Sequence, residues 1–168
     1  DTEVEELDDA VNSIEEEGDI AADYLEELLD IADLDGDIDI EVRGGRTYIS
    51  ILGETEDEKA LQRLVGANGE ILDSLQELTR LAVLTATGNR SRLVLDITGY
   101  RQGRTGELKS IAEAAVQKVR ETGEEVPLEP MSAYERKLVH DFVAALGMHS
   151  ESDGEGSRRH IVVSNDDA

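Results

Sequence analysis

The stretch ALQRLVGANGEILDSLQELTRLAVLTATGNRSRLVLDI, Ala60 to Ile97, decides the reading of this chain. Leu61, Leu64 and Val65 lead into Gly66-Ala67-Asn68-Gly69 at helical spacing, and Ile71, Leu75, Leu78 and Ala82 leave it on a second helical pattern. The glycines therefore predict a helix-to-helix turn. Gly88 and Asn89 follow the second helix, and Arg92-Leu93-Val94-Leu95-Asp96-Ile97 predicts a short strand. A second Gly-x-x-Gly, Gly103-Arg104-Thr105-Gly106, is more basic but follows a strand instead of a helix, and reads as a linker turn.

Upstream, Asp1 to Gly18 is almost all Asp and Glu with a few interspersed apolar residues, too little to offset the entropy of ordering, and is expected to be a mobile acidic tail. Ile20, Tyr24, Leu28 and Ile31 then predict a helix with Asp19 as its N-cap, ending near Leu34. The alternating carboxylates of Asp33 to Asp39 invite a calcium reading. The loop misses the calcium-hand template, which wants Gly at position six and Glu at twelve, where this chain has Ile38 and Gly44. It reads as a turn and an acidic strand face. Ile38, Ile40 and Val42 alternate with charged residues, Gly44-Gly45 turns the chain, and Thr47, Ile49 and Ile51 alternate back, a hairpin with one buried face. A helix begins within Glu54 to Glu58.

Downstream, Leu108, Ile111, Ala112, Ala115, Val116 and Val119 form one stripe of a long amphipathic helix closed by Gly123. Arg101, Arg104, Lys109, Lys118 and Arg120 lie off the stripe and extend a basic surface. Val126 to Ser132, with Pro127 and Pro130, reads as a stiff connector. Ser132 and Glu135 predict a capping box for a helix that turns Tyr134, Leu138, Phe142, Val143 and Leu146 inward and Arg136, Lys137 and His140 outward. Two strands, Met148 to Ser152 and His160 to Val163, follow, with Arg158 and Arg159 at the start of the second.

The 168 residues suit two compact modules. No cysteine is present, which removes disulfides and thiolate chemistry and suits a reducing cytoplasm. No apolar run approaches a membrane span, and no signal pattern opens the chain. Because residue 1 is Asp and not Met, a preceding segment lost by trimming is left open. The net charge of −24 opposes phosphate binding until its distribution is read. Residues 1–42 hold 19 acidic residues and no Lys or Arg, whereas residues 43–168 hold 21 acidic against 16 basic, a net of only −5. Arg outnumbers Lys by 12 to 4, which favours bidentate phosphate contacts.

The order helix, strand, strand, helix, glycine turn, helix, strand resembles a K homology domain of the bacterial, type II arrangement. The whole chain is similar to the Jag, or SpoIIIJ-associated, family, in which such a domain precedes an Arg-x-x-x-His domain. The resemblance rests on LVGANGEILDSLQELTRLAV from Leu64, LVLDITGYR from Leu93, LEPMSAYERKLVH from Leu128 and SESDGEGSRRHIVV from Ser150. It implies an α+β fold: an acidic tail over 1–18, a K homology domain over 19–98 with a three-stranded sheet backed by helices, a linker helix over 99–125, a small α+β Arg-x-x-x-His domain over 126–163, and a tail over 164–168.

The resemblance also implies a cytoplasmic, non-catalytic protein that binds single-stranded RNA and acts in cell elongation, division or envelope biogenesis. A small K homology protein is the implied partner, and the membrane insertase a functional link. Gly66, Ala67, Asn68 and Gly69 would clamp the phosphate backbone, with the next helix pointing free amides at phosphate. Arg136 and His140, joined by Lys137, Arg101, Arg104, Arg158 and Arg159, would form the second surface. Ala67 and Asn68 depart from the Lys or Arg usual in that loop, and the family's extra amino-terminal domain is not visible. No cofactor, metal or catalytic motif is expected: the phosphate loop, nucleophile elbow and paired-histidine zinc signatures are all missing. The rival reading is an interaction scaffold whose acidic arm and apolar helix stripe recruit proteins.

Overall fold

The computed structural model describes residues 2–165, which divide into two compact units, Asp1–Arg101 and Gln102–Ala168. Both are α+β. In the first, a sheet of order β1-β2-β3 is built from β1 (Asp37–Arg43), β2 (Arg46–Leu52) and β3 (Val94–Ile97). β1 and β2 form an antiparallel hairpin, while β2 and β3 are parallel, with Ile49 opposite Leu95 and Ile51 opposite Ile97. A parallel pair needs a crossover. Here it is α2 (Thr55–Leu61), two short 3₁₀ turns, and α3 (Glu70–Thr87).

Strand alternation drives Ile49, Ile51, Leu95 and Ile97 to one face, where Leu25 and Leu29 of α1 (Thr2–Ile31), Leu61 of α2, and Leu72, Leu75 and Val83 of α3 complete the core. The inward stripe of α3 is thus Leu72, Leu75, Thr79 and Val83; the expected stripe is out of phase, with Ile71 and Leu78 exposed. The hairpin's buried face is also one-sided: β1 is an edge strand on which Ile38 is partly buried and Ile40 and Val42 stay exposed. The acidic turn has a structural explanation. Asp33 adopts a left-handed conformation (φ 56°) and lets the Leu34 amide return to the Leu29 carbonyl at 2.9 Å, a glycine-like helix stop. No group of three or more His, Cys, Asp or Glu able to hold a metal occurs among the described residues.

The acidic segment departs from expectation. α1 is helical from Thr2, so residues 2–18 are not a loose tail and Asp19 lies inside the helix instead of capping it. Val4, Leu7, Val11 and Ile14 continue at spacings of three and four residues the stripe that Ala21 and Leu25 bury, and Glu3 and Glu5 sit favourably at the positive end of the helix dipole.

In the second unit α4 (Tyr100–Thr122) and α5 (Ala133–Ala145) pack on a sheet of order β4-β6-β5, made of β4 (Val126–Pro127), β5 (His149–Asp153) and β6 (His160–Ser164). Leu108, Ala112, Ala115, Val116 and Val119 of α4 meet Val139 and Val143 of α5 and Ile161 and Val163 of β6 in one cluster. The helix expected as a linker is therefore part of this unit's core, and the expected connector begins with a strand. Tyr134 is exposed; Val139 takes the inward position. The last residue of β6 is Ser164, so the tail expected over 164–168 starts inside the sheet, and residues 166–168 lie outside those described.

Gly103-Arg104-Thr105-Gly106 is no turn, because it lies within α4; Thr98 and Gly99, both with positive φ, turn the chain just before it. A Cβ at Gly103 or Gly106 meets nothing within 4 Å. Gly103→Ala and Gly106→Ala should each therefore raise stability by about 0.5–1 kcal/mol, read as a higher urea midpoint, by removing a helix-interior glycine.

Candidate nucleic-acid interface

In the first unit the turn between α2 and α3 depends on both glycines. Gly66 (φ 73°) and Gly69 (φ 75°) are left-handed, and Asn68 (φ 56°) follows them into that region, which Asn tolerates better than most residues. A Cβ on Gly66 would come within 2.7 Å of Ile71 Cγ1, and one on Gly69 within 2.6 Å of the Tyr100 ring. The Val65 carbonyl accepts from the amides of both Ile71 (3.0 Å) and Leu72 (3.1 Å), and the Glu70 amide bonds to Ala67 O. The first amides of α3 are thus consumed inside the turn and do not point free at a ligand. The loop amides of Ala67 and Asn68, both exposed residues, have no acceptor among the described residues and are the donors this loop can offer.

Arg101 does not extend a basic surface freely. Its Nε donates to Leu95 O at 2.7 Å, one terminal nitrogen to Gln76 Oε1 at 3.1 Å and the other to Asp73 Oδ1 at 3.2 Å. This fork ties the end of β3 to α3. Arg104, in the second unit, is likewise engaged: Nε donates to Glu135 Oε1 at 2.8 Å and Nη1 to Glu107 Oε2 at 3.0 Å. Ser132 Oγ accepts the Glu135 amide at 3.3 Å, so half of the expected capping box forms, while the Glu135 carboxylate turns to Arg104 instead of back to the cap.

The second unit brings Arg136 and His140 together on α5 against β5. On that strand Ser150 and Ser152 point to one side, and the His140 ring lies between them, with Nδ1 2.6 Å from Ser150 Oγ and Nε2 3.1 Å from Ser152 Oγ. A neutral imidazole donates at one nitrogen and accepts at the other, and a serine hydroxyl can answer either role. Burial lowers the His140 pKa below its ordinary value, the Arg136 guanidinium lowers it further, Asp141 opposes this and His149 adds to it. The ring is therefore kept neutral near pH 7. Arg136 supplies the fixed charge, and its Nε and Nη1 are shielded from solvent with no hydrogen-bond partner among the described residues. Lys137 is exposed one residue on.

Arg158 and Arg159 stand at the loop end of the β5–β6 hairpin. Arg158 is exposed, while Arg159 Nη1 donates to Gly154 O at 2.8 Å and braces the loop. Neither is joined to Arg136 or His140 by a hydrogen bond or ion pair among the described residues. Sequence reading missed Ser150 and Ser152. Their spacing of two on a predicted strand was the available signal, since it places both hydroxyls on one face.

The arrangement of α4, α5 and the three short strands, with Arg136 and His140 on α5, defines an Arg-x-x-x-His (R-3-H) domain, and the model of that domain family matches residues 106–165. The chain belongs to the Jag, or SpoIIIJ-associated, family. It is 33% identical over 150 residues to a Clostridium symbiosum protein named RNA-binding protein KhpB, covering 87% of this chain and 65% of that one. It is 35% identical over 104 residues to the protein of the same name from Bacillus subtilis, covering 60% of this chain and 50% of that one. The chain thus spans about half to two thirds of the length of these curated relatives. No helix among the described residues is long and apolar enough to cross a membrane.

Two outcomes follow from the second unit. Arg104→Ala leaves the largely buried Glu135 carboxylate without its main partner and should lower stability by about 3 kcal/mol, measured by urea denaturation, whereas exposed Lys137→Ala should change it by under about 0.5 kcal/mol. For His140 the depressed folded-state pKa means that the unfolded chain binds the proton first as pH falls through 6.5. Stability contributed above that pH is lost below it, so the advantage of the parent protein over His140→Gln should shrink between about pH 7.5 and about pH 5.

Proposed function

We propose that the chain binds single-stranded RNA without catalysing a reaction on it. The observation that carries this reading is the Arg136–His140 pair: a guanidinium with two N–H groups unpaired among the described residues, beside a neutral imidazole locked by two serines. Arginine can meet a phosphate or stack on a base, and the histidine edge can stack and hydrogen-bond, which suits unstacked single strands more than duplex grooves. In this reading Gly66 to Gly69 act as a second, weaker contact through the Ala67 and Asn68 amides, without the positive charge that would strengthen it. Two weak sites in one chain gain affinity when both engage the same strand.

The names of the relatives and the family resemblance support the same ligand. The resemblance extends the proposal to a cytoplasmic role in cell elongation, division or envelope biogenesis, with a small K homology protein as partner and a functional link to the membrane insertase. A scaffold function is the second reading, favoured by the exposed apolar residues Val4, Leu7 and Val11 on the acidic part of α1.

The test is fluorescence anisotropy with a labelled single-stranded RNA pool across a salt series. Binding should weaken steeply as salt rises, fall about tenfold or more in Arg136→Ala/His140→Ala, and fall less in Ala67→Asp/Asn68→Asp, which leaves both glycines in place. Proton resonances of His140 should report a higher pKa with RNA bound, because a nearby phosphate favours the charged ring. Absence of binding at low salt, or binding indifferent to Arg136 and His140, overturns the reading.

A further inference from the structure

The stripe that buries α1 against its domain does not stop where the domain does. Val4, Leu7, Val11, Ile14, Gly18, Ala21, Leu25 and Leu28 recur at alternating spacings of three and four, a continuous a/d heptad seam. From Gly18 onward the seam is covered: Gly18, Ala21 and Leu25 are buried and Leu28 packs on the core. A Cβ on Gly18 would lie 3.2 Å from Ile40 on the edge strand, which marks where the helix leaves the sheet. Glu17 is fastened at the same point, its carboxylate accepting from the Ser91 hydroxyl. Beyond it the seam is bare, with Val4 64%, Leu7 66% and Val11 53% exposed.

We propose that this bare seam is the docking surface for a basic amphipathic helix of another protein. The apolar residues are of the kind a two-helix pairing uses, β-branched Val at the a positions with Leu and Ile at d. The flanks select the partner's charge. Glu3 and Glu17 border the seam on one side and Asp8 and Glu15 on the other, and residues 3–17 carry 8 carboxylates and no Lys or Arg. A second copy of this chain is disfavoured, because a parallel pair would set Glu3 against Asp8 of its mate and an antiparallel pair would set glutamates against each other. RNA and anionic lipid are repelled by the same flanks. A helix with an apolar face bordered by Lys or Arg satisfies both the seam and its borders. Three exposed helical turns gain most of their order from such packing, so the partner also fixes the segment it binds.

The test uses two fluorescein-labelled helical peptides of three heptads with the same Val/Leu seam, one carrying Lys and the other Glu at every e and g position, titrated with the whole 168-residue chain. The Lys peptide should bind and the Glu peptide should not. Leu7→Asn/Val11→Asn, which alters only exposed side chains, should weaken Lys-peptide binding about tenfold or more. Asp8→Lys/Glu15→Lys should shift preference toward the Glu peptide. The proposal is overturned if the Lys peptide binds parent and Leu7→Asn/Val11→Asn equally, since charge alone would then hold it, or if neither peptide binds. It is equally overturned if sedimentation equilibrium shows self-association abolished by Leu7→Asn/Val11→Asn, which would make a second copy the occupant.

Discussion

The first unit depends on a reversal of chain direction made without room for two side chains. β2 and β3 pair in parallel, so the chain must return across the sheet between them, and α2 and α3 make that return only because Gly66 and Gly69 turn left-handed beneath Ile71 and Tyr100. The Val65 carbonyl closes the turn by taking two amides at once. The same closure decides what the loop presents outward. Donors that a free helix start would expose are internal, and the accessible backbone is that of the two residues between the glycines.

In the second unit the ordering principle is a helix packed on a hairpin with polar residues on the facing side of the strand. Ser150 and Ser152 fix the tilt and tautomer of His140, and the carboxylate of Glu135, one residue before Arg136, is taken up by Arg104. Adjacent residues on α5 thus separate into an inward carboxylate bound for α4 and an Arg–His pair left to face the strand. Arginines that sequence alone groups as one basic set divide into structural forks, Arg101 and Arg104, and groups placed at the surface or the hairpin end, Arg158 and Arg159.

Much of this was legible. The order of elements, the glycine turn, the hairpin at Gly44-Gly45 and the Arg136–His140 spacing follow from local pattern, because each is set within a few residues of chain. What escaped was set by tertiary geometry. The α3 stripe shifts by one residue because Thr79, counted as polar, is buried with its hydroxyl bonded to Leu75 O at 2.7 Å. The acidic segment looked disordered because composition outweighed its heptad spacing. Arg101 and Arg104 looked available because their partners, Asp73 and Glu135, lie 28 and 31 residues away in sequence.

Pro127 has a bearing on how this molecule behaves when crowded. β4 is an outer strand of its sheet, and Leu128 just beyond it donates its amide to Ile161 O at 2.8 Å, so alternation turns the nitrogen of Pro127 away from β6. The ring therefore interrupts no bond inside the sheet, yet it removes a donor from the rim where a foreign strand would attach. Brevity and a proline together blunt that rim against intermolecular strand addition, a protection against aggregation obtained at no loss to internal pairing.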